Sequence, residues 1–456
     1  MLVFFFYKFI KIFLMKRSVV LAFFLAISFT VAAQDGFHFE NPNRKKTVIP
    51  FQLINNLIFI PIIVNGIELT FLLDTGVDET ILFSLDDKED VSFQFVEKIK
   101  LKGLGKENSI DGLKSSQNQL TSHGLTDTGH DIYIVLDQNF NFSSSIGIPV
   151  NGIIGYHFFK NHLVEINYQK KKIIVYNETQ KARRRIAGKY KKFAISIESN
   201  KPYMISTLTL ADKPMPAKLL IDSGSSDALW LFESRSEAIK IPSRHFNDFL
   251  GRGFSGEIQG KRARITRFDF AAYAFINTIA AFPDSIATQD LVMVEDRLGS
   301  VGGEILKRFD MVFDYREKQM FLRKNSNFDE PFHYNMSGIE IHHSGMTWVP
   351  ETVGLKPVAQ ENTFDINGNK IPSSFIYKFE LKPIYAISNI RKDSPADLCG
   401  LKKDDIILSI NNKLGYRYSL QDVNSLLKSE EGKSISMEVE RNGVKMNFEF
   451  QLKSIL

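Results

Sequence analysis

Two strings of this chain place an aspartate before a small hydroxyl residue and a glycine: Leu72-Leu73-Asp74-Thr75-Gly76 and Leu220-Ile221-Asp222-Ser223-Gly224. Each closes an apolar run with the composition of a buried strand, and the two aspartates lie 148 residues apart. Two carboxyls a few ångströms apart cannot both ionise cheaply, so one keeps a proton and the pair supplies acid and base together. Such a pair can take a proton from water while the protonated carboxyl polarises a scissile carbonyl, which hydrolyses a peptide bond without a metal or a covalent nucleophile. Asp74 and Asp222 are therefore the candidate catalytic residues. Gly76 and Gly224 let the backbone turn tightly beside a substrate. Either carboxyl can be the base at this level, because coupled titrations belong to the pair.

The elements that must position these residues repeat. Before Asp74, the β-rich runs Leu57 to Val64 and Ile67 to Leu73 are split by Asn65-Gly66, a strong hairpin signal. Before Asp222, Tyr203 to Leu210 and Ala217 to Ile221 flank Ala211-Asp212-Lys213-Pro214 in the same way. A Gly-punctuated stretch follows each aspartate, Gly103-Leu104-Gly105 to Asp111-Gly112 and Gly251 to Gly260, and both read as hairpins. Each half then closes on a related block. The first is Gly152-Ile153-Ile154-Gly155 with Asn167-Tyr168; the second is Ser300-Val301-Gly302 with Asp314-Tyr315. Tyr168 and Tyr315 stand 147 residues apart, within one residue of the aspartate offset. An internal duplication, mostly β with one short helix after each closing Gly, accounts for the pattern.

At 456 residues the chain should hold about three domains. Its 57 basic and 52 acidic residues give a net charge of +5, too mild to imply nucleic acid. Met15-Lys16-Arg17, the apolar run Val19 to Val31 and the small residues Ala32-Ala33-Gln34 have the order of a secretory signal peptide, placed at 1–34 with Met1 or Met15 as the start. A retained membrane anchor is the rival reading of that segment. The single cysteine, Cys399, excludes a disulfide within the chain, which suits export into a bacterial envelope, periplasmic or secreted. A basic joint, Lys181 to Lys192, reads as a solvated linker between the halves. From Pro331 the composition changes and a third unit begins, with a long polar stretch at about 344–382 that reads as an insertion.

Leu72 to Leu82 resembles the active-site segment of retroviral-type aspartic proteases, and Gly152-Ile153-Ile154-Gly155 resembles the segment that their chain threads beside the catalytic loop. The second half is similar to the same family, with a pepsin-like Asp222-Ser223-Gly224-Ser225-Ser226. The third unit resembles PDZ domains of exported bacterial proteins in Asp393-Ser394-Pro395-Ala396, Gly400-Leu401 and Asp404-Asp405-Ile406-Ile407-Leu408. The whole order resembles a bacterial exported aspartyl protease with a C-terminal PDZ domain. This implies a mainly β fold: two pseudo-symmetric retropepsin-like lobes at 47–180 and 193–325, then an α+β PDZ domain at 331–456. It also implies that the Thr75 and Ser223 hydroxyls bond across the interlobe axis, that Gly76, Gly224 and Ser225 support the loops, and that Asp78 contacts substrate. Ser337, Gly338, Ile339, Glu340 and Ile341 would form the loop that captures a C-terminal carboxylate, the peptide then adding as a strand. The implied partners are peptide or protein substrates and protein C-termini. Nucleic acid, a membrane span after signal cleavage, a metal and any other cofactor are not expected, and the chain should act as a monomer.

Two departures from the family bear on the chemistry. Tyr156 stands where retroviral-type enzymes commonly place an Arg that pairs with the acid matching Asp78. Val77 stands where the second half has Ser225, and a hydroxyl donor lowers a carboxyl pKa, so its loss should lift the working range of the dyad towards neutral pH. The rival from another class is an envelope protein whose two lobes form a catalytically idle peptide-binding groove. Weaker signals are read as structural. Gly251-Arg252-Gly253-Phe254-Ser255-Gly256 lacks the strand-to-helix context of a dinucleotide site. His342-His343 and the His157, His162 pair lack accompanying carboxylates. Asp365 to Asn369 lacks the twelfth-position Glu of a calcium loop, and Cys399 reads as a packing residue.

Overall fold

A computed structural model describes residues 36–85, 91–101, 110–136, 142–177, 180–210, 213–253, 256–289, 292–352 and 377–456. The signal segment, Gly103 to Gly105 and the Asp365 to Asn369 turn lie outside these. The fold is mainly β and duplicated, with a PDZ-like unit at the C-terminus. Among the described residues, no helix is long and apolar enough to cross a membrane.

In the first lobe, strands Leu57–Val64 and Ile67–Leu73 form an antiparallel hairpin. Asn65 and Gly66 both take positive φ at its turn, 48° and 95°, the geometry that Asn-Gly favours. The strand Gly152–Ile154 runs parallel to Ile67–Leu73 and antiparallel to Thr80–Leu82. The second lobe repeats this topology. Pro214–Ile221 pairs in parallel with Arg297–Val301, which pairs antiparallel with Leu229–Leu231. Period-2 alternation sorts the side chains onto two faces. Ile58, Ile60, Ile62, Phe71 and Leu73 enter the main core. Leu57, Phe59 and Leu72 turn to the opposite face and join a second apolar cluster with Phe83, Val150 and Ile153.

The Gly-punctuated stretches are hairpins: Val96–Leu101 pairs with Ile110–Ser122, and His245–Gly253 with Gly256–Phe270. The second pairing is antiparallel strand, not a strand-to-helix turn, over the glycines of the dinucleotide-like string. Among the described residues, short helices follow in the first half: α1 (Phe142–Ile146), α2 (Tyr156–Phe159) just after Gly155, and α3 (Gln180–Ala187). In the second half α4 (Gly303–Leu306) follows Gly302. Below the lobes a six-stranded sheet joins the halves, with Leu163–Asn167 of the first pairing with Phe309–Asp314 of the second.

The basic joint differs from its reading as a linker. It holds α3, whose Ile186 is buried with Leu163, Val312 and Phe321 on the joining sheet, while Arg183 pairs with Asp314 at 3.0 Å. Arg308, 1% exposed, ties the second lobe to the chain leaving it. Its guanidinium donates to the carbonyls of Phe328 and Glu330 and lies 4.1 Å over Phe332.

The third unit opens with a long hairpin, Ile339–Thr352 against Tyr377–Ile390, paired out to Thr352 and Tyr377. Over its described residues, the stretch read as an insertion at 344–382 is therefore paired strand continuous with the domain's own sheet. Helix α5 (Pro395–Leu398) starts at an N-cap Ser394, and α6 (Leu420–Leu427) starts at a Ser419/Asp422 capping box. Strands Ile406–Ile410, Ser434–Arg441 and Val444–Gln451 complete the sheet. Cys399 caps α5, its thiol donating to Ala396 O at 3.1 Å.

Candidate functional site

Each aspartate leaves its strand beside the threaded closing strand. Asp74 N–H donates to Ile154 O and Asp222 N–H to Val301 O, both at 2.9 Å. The hydroxyl residues that follow lock the two loops together. Thr75 Oγ1 donates to Ile221 O at 2.6 Å and accepts from Ser223 N–H at 3.0 Å. Reciprocally, Ser223 Oγ donates to Leu73 O at 2.8 Å and accepts from Thr75 N–H at 3.0 Å. Both residues are buried, so these bonds form away from competing water.

This lock brings the Asp74 and Asp222 carboxyls together around Gly76, close enough for each to act on the other's ionisation. Gly76 N–H donates to Asp74 Oδ1 at 2.6 Å and Gly224 N–H to Asp222 Oδ1 at 3.1 Å. A Cβ at Gly76 would stand 3.0 Å from an oxygen of each aspartate, and one at Gly224 would collide with the Asp74 carboxyl. Glycine is required at both places by this close approach.

The two carboxyls are not equivalent. Burial, and next the charge of Asp222, push Asp74 up to about 8. Burial also raises Asp222, but Arg297 and then the Gly224 N–H favour its charged form. Both carboxyls are raised, so the pair holds one proton, and Arg297 biases its charge towards Asp222. Ser225, expected to supply this asymmetry through its hydroxyl, has that hydroxyl against Gly302, and its carbonyl accepts from Gly303 N–H at 2.7 Å. Arg297 is the leading influence in its place.

Asp78 finds its partner across the interlobe axis, where Asn200 Nδ2 donates to Asp78 Oδ1 at 3.0 Å. The symmetry-related contact runs the other way: Asn56 Nδ2 donates to Ser226 O and to Glu304 Oε2, each at 2.9 Å. Both asparagines end tight turns of two positive-φ residues, Asn55-Asn56 and Ser199-Asn200. Each thus reaches the fourth residue after the other lobe's aspartate. This arrangement answers the departure at Tyr156, since Asp78 is held by a neutral carboxamide from the second lobe. Asn56, Asn200 and Arg297 were missed in the sequence, although the duplication carried a signal for each. The two turns precede matching hairpins, and Arg297 falls opposite Val150 when the closing blocks are aligned.

One histidine reading needs correction. His157 does have a carboxylate neighbour: Asp127, His130 and His157 offer ligand atoms within 4.8 Å of one another, a group that could hold a metal ion. His130 already spends both nitrogens in the protein, Nδ1 on Asp127 Oδ2 at 2.6 Å and Nε2 on Thr80 Oγ1 at 2.7 Å. The arrangement therefore braces Thr80, on the strand that leaves the Asp74 loop. His162 lies apart from it and meets Phe37 O at 3.0 Å.

In the third unit, Ser337 to Ile341 lead into the hairpin strand. The N–H groups of Ser337 and Gly338 donate to Asn335 Oδ1 at 3.1 and 3.2 Å, and Ile339 N–H meets Ser337 Oγ at 3.3 Å. The Asn335 carboxamide oxygen thus holds the place expected for a peptide carboxylate. Glu340 and Ile341 are paired with Asn389 and Ile387. Helix α1 of the first lobe packs against the strand Ile339–Thr352, and Gly147 behind it lies against Leu420 at the start of α6.

A family model described as a PDZ domain matches residues 387–441. Over 111 residues the chain is 35% identical to a retrovirus-related Pol polyprotein from transposon 412 of Drosophila melanogaster. That match takes in 22% of this chain and 7% of the polyprotein, so the chain spans a small part of that curated relative. Among solved structures, the aspartic proteinase from Irpex lacteus aligns at a TM-score of 0.40 and 12% identity, over 62% of this chain and 99% of its own.

Proposed function

We propose that this chain is an exported aspartic endopeptidase whose PDZ domain binds protein C-termini. The observation that carries the reading is the closely apposed Asp74 and Asp222 pair, fixed by the reciprocal Thr75 and Ser223 bonds. In this mechanism Asp222, as carboxylate, takes a proton from water lying between the carboxyls. Asp74, protonated, donates to the carbonyl oxygen as water adds; the gem-diol then collapses as Asp222 gives its proton to the leaving amine and Asp74 takes a proton back from a gem-diol hydroxyl, which restores the pair. Asp78 and its Asn200 clamp lie beside this centre and bind the substrate backbone. The PDZ domain captures C-termini once the Asn335 oxygen gives up the loop amides, and it brings protein substrates to the cleft. The signal-like N-terminal segment supports a bacterial periplasmic or secreted location.

The test is hydrolysis of a peptide library by purified wild type and Asp74→Asn. Loss of about 10³-fold or more in turnover is expected, since one carboxyl cannot be acid and base together. Undiminished cleavage by Asp74→Asn would sink the mechanism. Peptide binding by wild type with no cleavage of any library member would favour the idle groove.

A further inference from the structure

Aligning the two closing blocks sets Ser300-Val301-Gly302 against Ile153-Ile154-Gly155 and places Arg297 opposite Val150. In the first lobe, Val150 lies in an apolar cluster with Leu72, Ile81 and Ile153, on the face that also carries Val77, three residues after Asp74. The corresponding place in the second lobe holds a guanidinium. Arg297 Nε donates to Gly299 O at 3.1 Å, Nη2 to Ser300 Oγ at 3.4 Å, and the group lies 5.3 Å over Phe232 with Tyr203 within range of its field. It is half-buried, and among the described residues no carboxylate forms an ion pair with it. Asp222 is within range of its field. Arg235 and Lys201 add positive charge, the first felt by Arg297 and the second by both dyad carboxyls.

A desolvated guanidinium held by neutral acceptors is unfavourable until an anion meets it, and its planar fork fits a carboxylate. We propose that Arg297 is the specificity-determining residue of the second lobe's half of the cleft, where it selects a substrate with an Asp or Glu side chain next to the scissile bond. The first lobe, apolar at the matching place, takes a large apolar side chain on the other side of that bond. The inference rests on the peptidase reading of the cleft and names its substrate class.

The experiment uses one peptide scaffold with Glu, Gln, Leu or Lys at each of the two positions flanking the bond. Two quantities are read: kcat/KM with wild type, and Kd with Asp74→Asn, which binds without turnover. At one of the two positions, Glu is expected to exceed Gln, Leu and Lys by about tenfold or more in both, as a charge-assisted pair should. Arg297→Gln should bring the Glu peptide down to the Gln peptide, read as the Glu-to-Gln ratio within each enzyme and in the Kd series, because the lost charge beside Asp222 changes turnover of all the peptides together. Arg297→Lys, which keeps the charge without the fork, should fall between, and thermal melts of each variant report folding. Equal or absent affinity across the set, or a Glu preference that survives in folded Arg297→Gln, overturns the inference. If no peptide is hydrolysed, the endopeptidase reading fails, while the order of affinities still decides the role of Arg297.

Discussion

Because burial and the charge of Asp222 raise Asp74 to about 8, while Arg297 favours the charged form of Asp222, one proton stays on the pair through neutral pH. The active form requires that single proton. Activity should therefore persist at pH 7 and fall as pH rises through about 8, where Asp74 ionises. A kcat/KM profile whose alkaline limb lies below about pH 5, near the values of the acid-working dyads, would contradict this. Stability carries the same signature. The folded pKa of Asp74 lies above the unfolded value of about 3.9. Its favourable contribution is thus complete below pH 4 and is lost as pH climbs to about 8. Asp74→Asn has no charge to bury, so its melting temperature should exceed that of wild type at pH 8, and the difference should close in acid. At this scale the two aspartates and their hydroxyl neighbours were legible, because duplication printed them twice. Arg297 was missed, because its influence on Asp222 acts through space between strands and only the alignment of the closing blocks points to its place.

Elements were legible where local chemistry fixes them. Asn65-Gly66 specified its turn, and alternating apolar residues specified which strand faces meet the two cores. The joint at Lys181 to Lys192 was opaque for a tertiary reason. Its polar composition conceals that Ile186, with Ala182 and Tyr190 beside it, anchors α3 to the joining sheet, helped by the Arg183 and Asp314 pair. The turns Asn55-Asn56 and Ser199-Asn200 were equally hidden, since each acts on the opposite lobe. Asn200→Ala removes a donor to the Asp78 carboxylate, which should cost about 2 kcal/mol, as for hydrogen bonds to charged groups. Asn56→Ala also loses a bond to a carboxylate, that of Glu304, besides the one to Ser226 O. Urea unfolding and kcat/KM measured together should show both variants losing stability, with Asn200→Ala also raising KM because Asp78 is freed. A KM unchanged in Asn200→Ala would show that Asp78 does not meet substrate.

At the scale of the whole molecule, the third unit could be recognised from its motifs, but its seat on the lobes could not, since it is made by contacts between segments far apart in the chain, charged residues among them. Arg262 bridges Asp227 and Asp248 at 2.7 and 2.6 Å, and Arg391 of the third unit reaches Asp248 at 3.4 Å. Arg391 also lies 4.4 Å over Phe246, whose ring is 5.2 Å from that of Tyr334. Glu340, on the hairpin strand beside the carboxylate loop, faces this network. Burial, then the charge of Asp248, raises it to about 7, against the opposing pull of Lys428, Arg262 and Arg391. Its unfolded value is near 4.3. The stabilisation is therefore complete below about pH 4 and is lost as pH rises through about 7. The loss falls on the contact between the third unit and the second lobe, because leaving that contact restores water to Glu340 and removes Asp248 from its side. Thermal unfolding between pH 5 and pH 8, with small-angle scattering to report the dimensions, should show wild type loosening as pH passes 7. Glu340→Gln should stay compact and flat across the range, and Arg391→Gln should loosen even at pH 6. Since Arg262 also holds Asp227, five residues beyond Asp222, turnover should fall with the loosening in each case. The same pH dependence in Glu340→Gln as in wild type would remove Glu340 from the coupling.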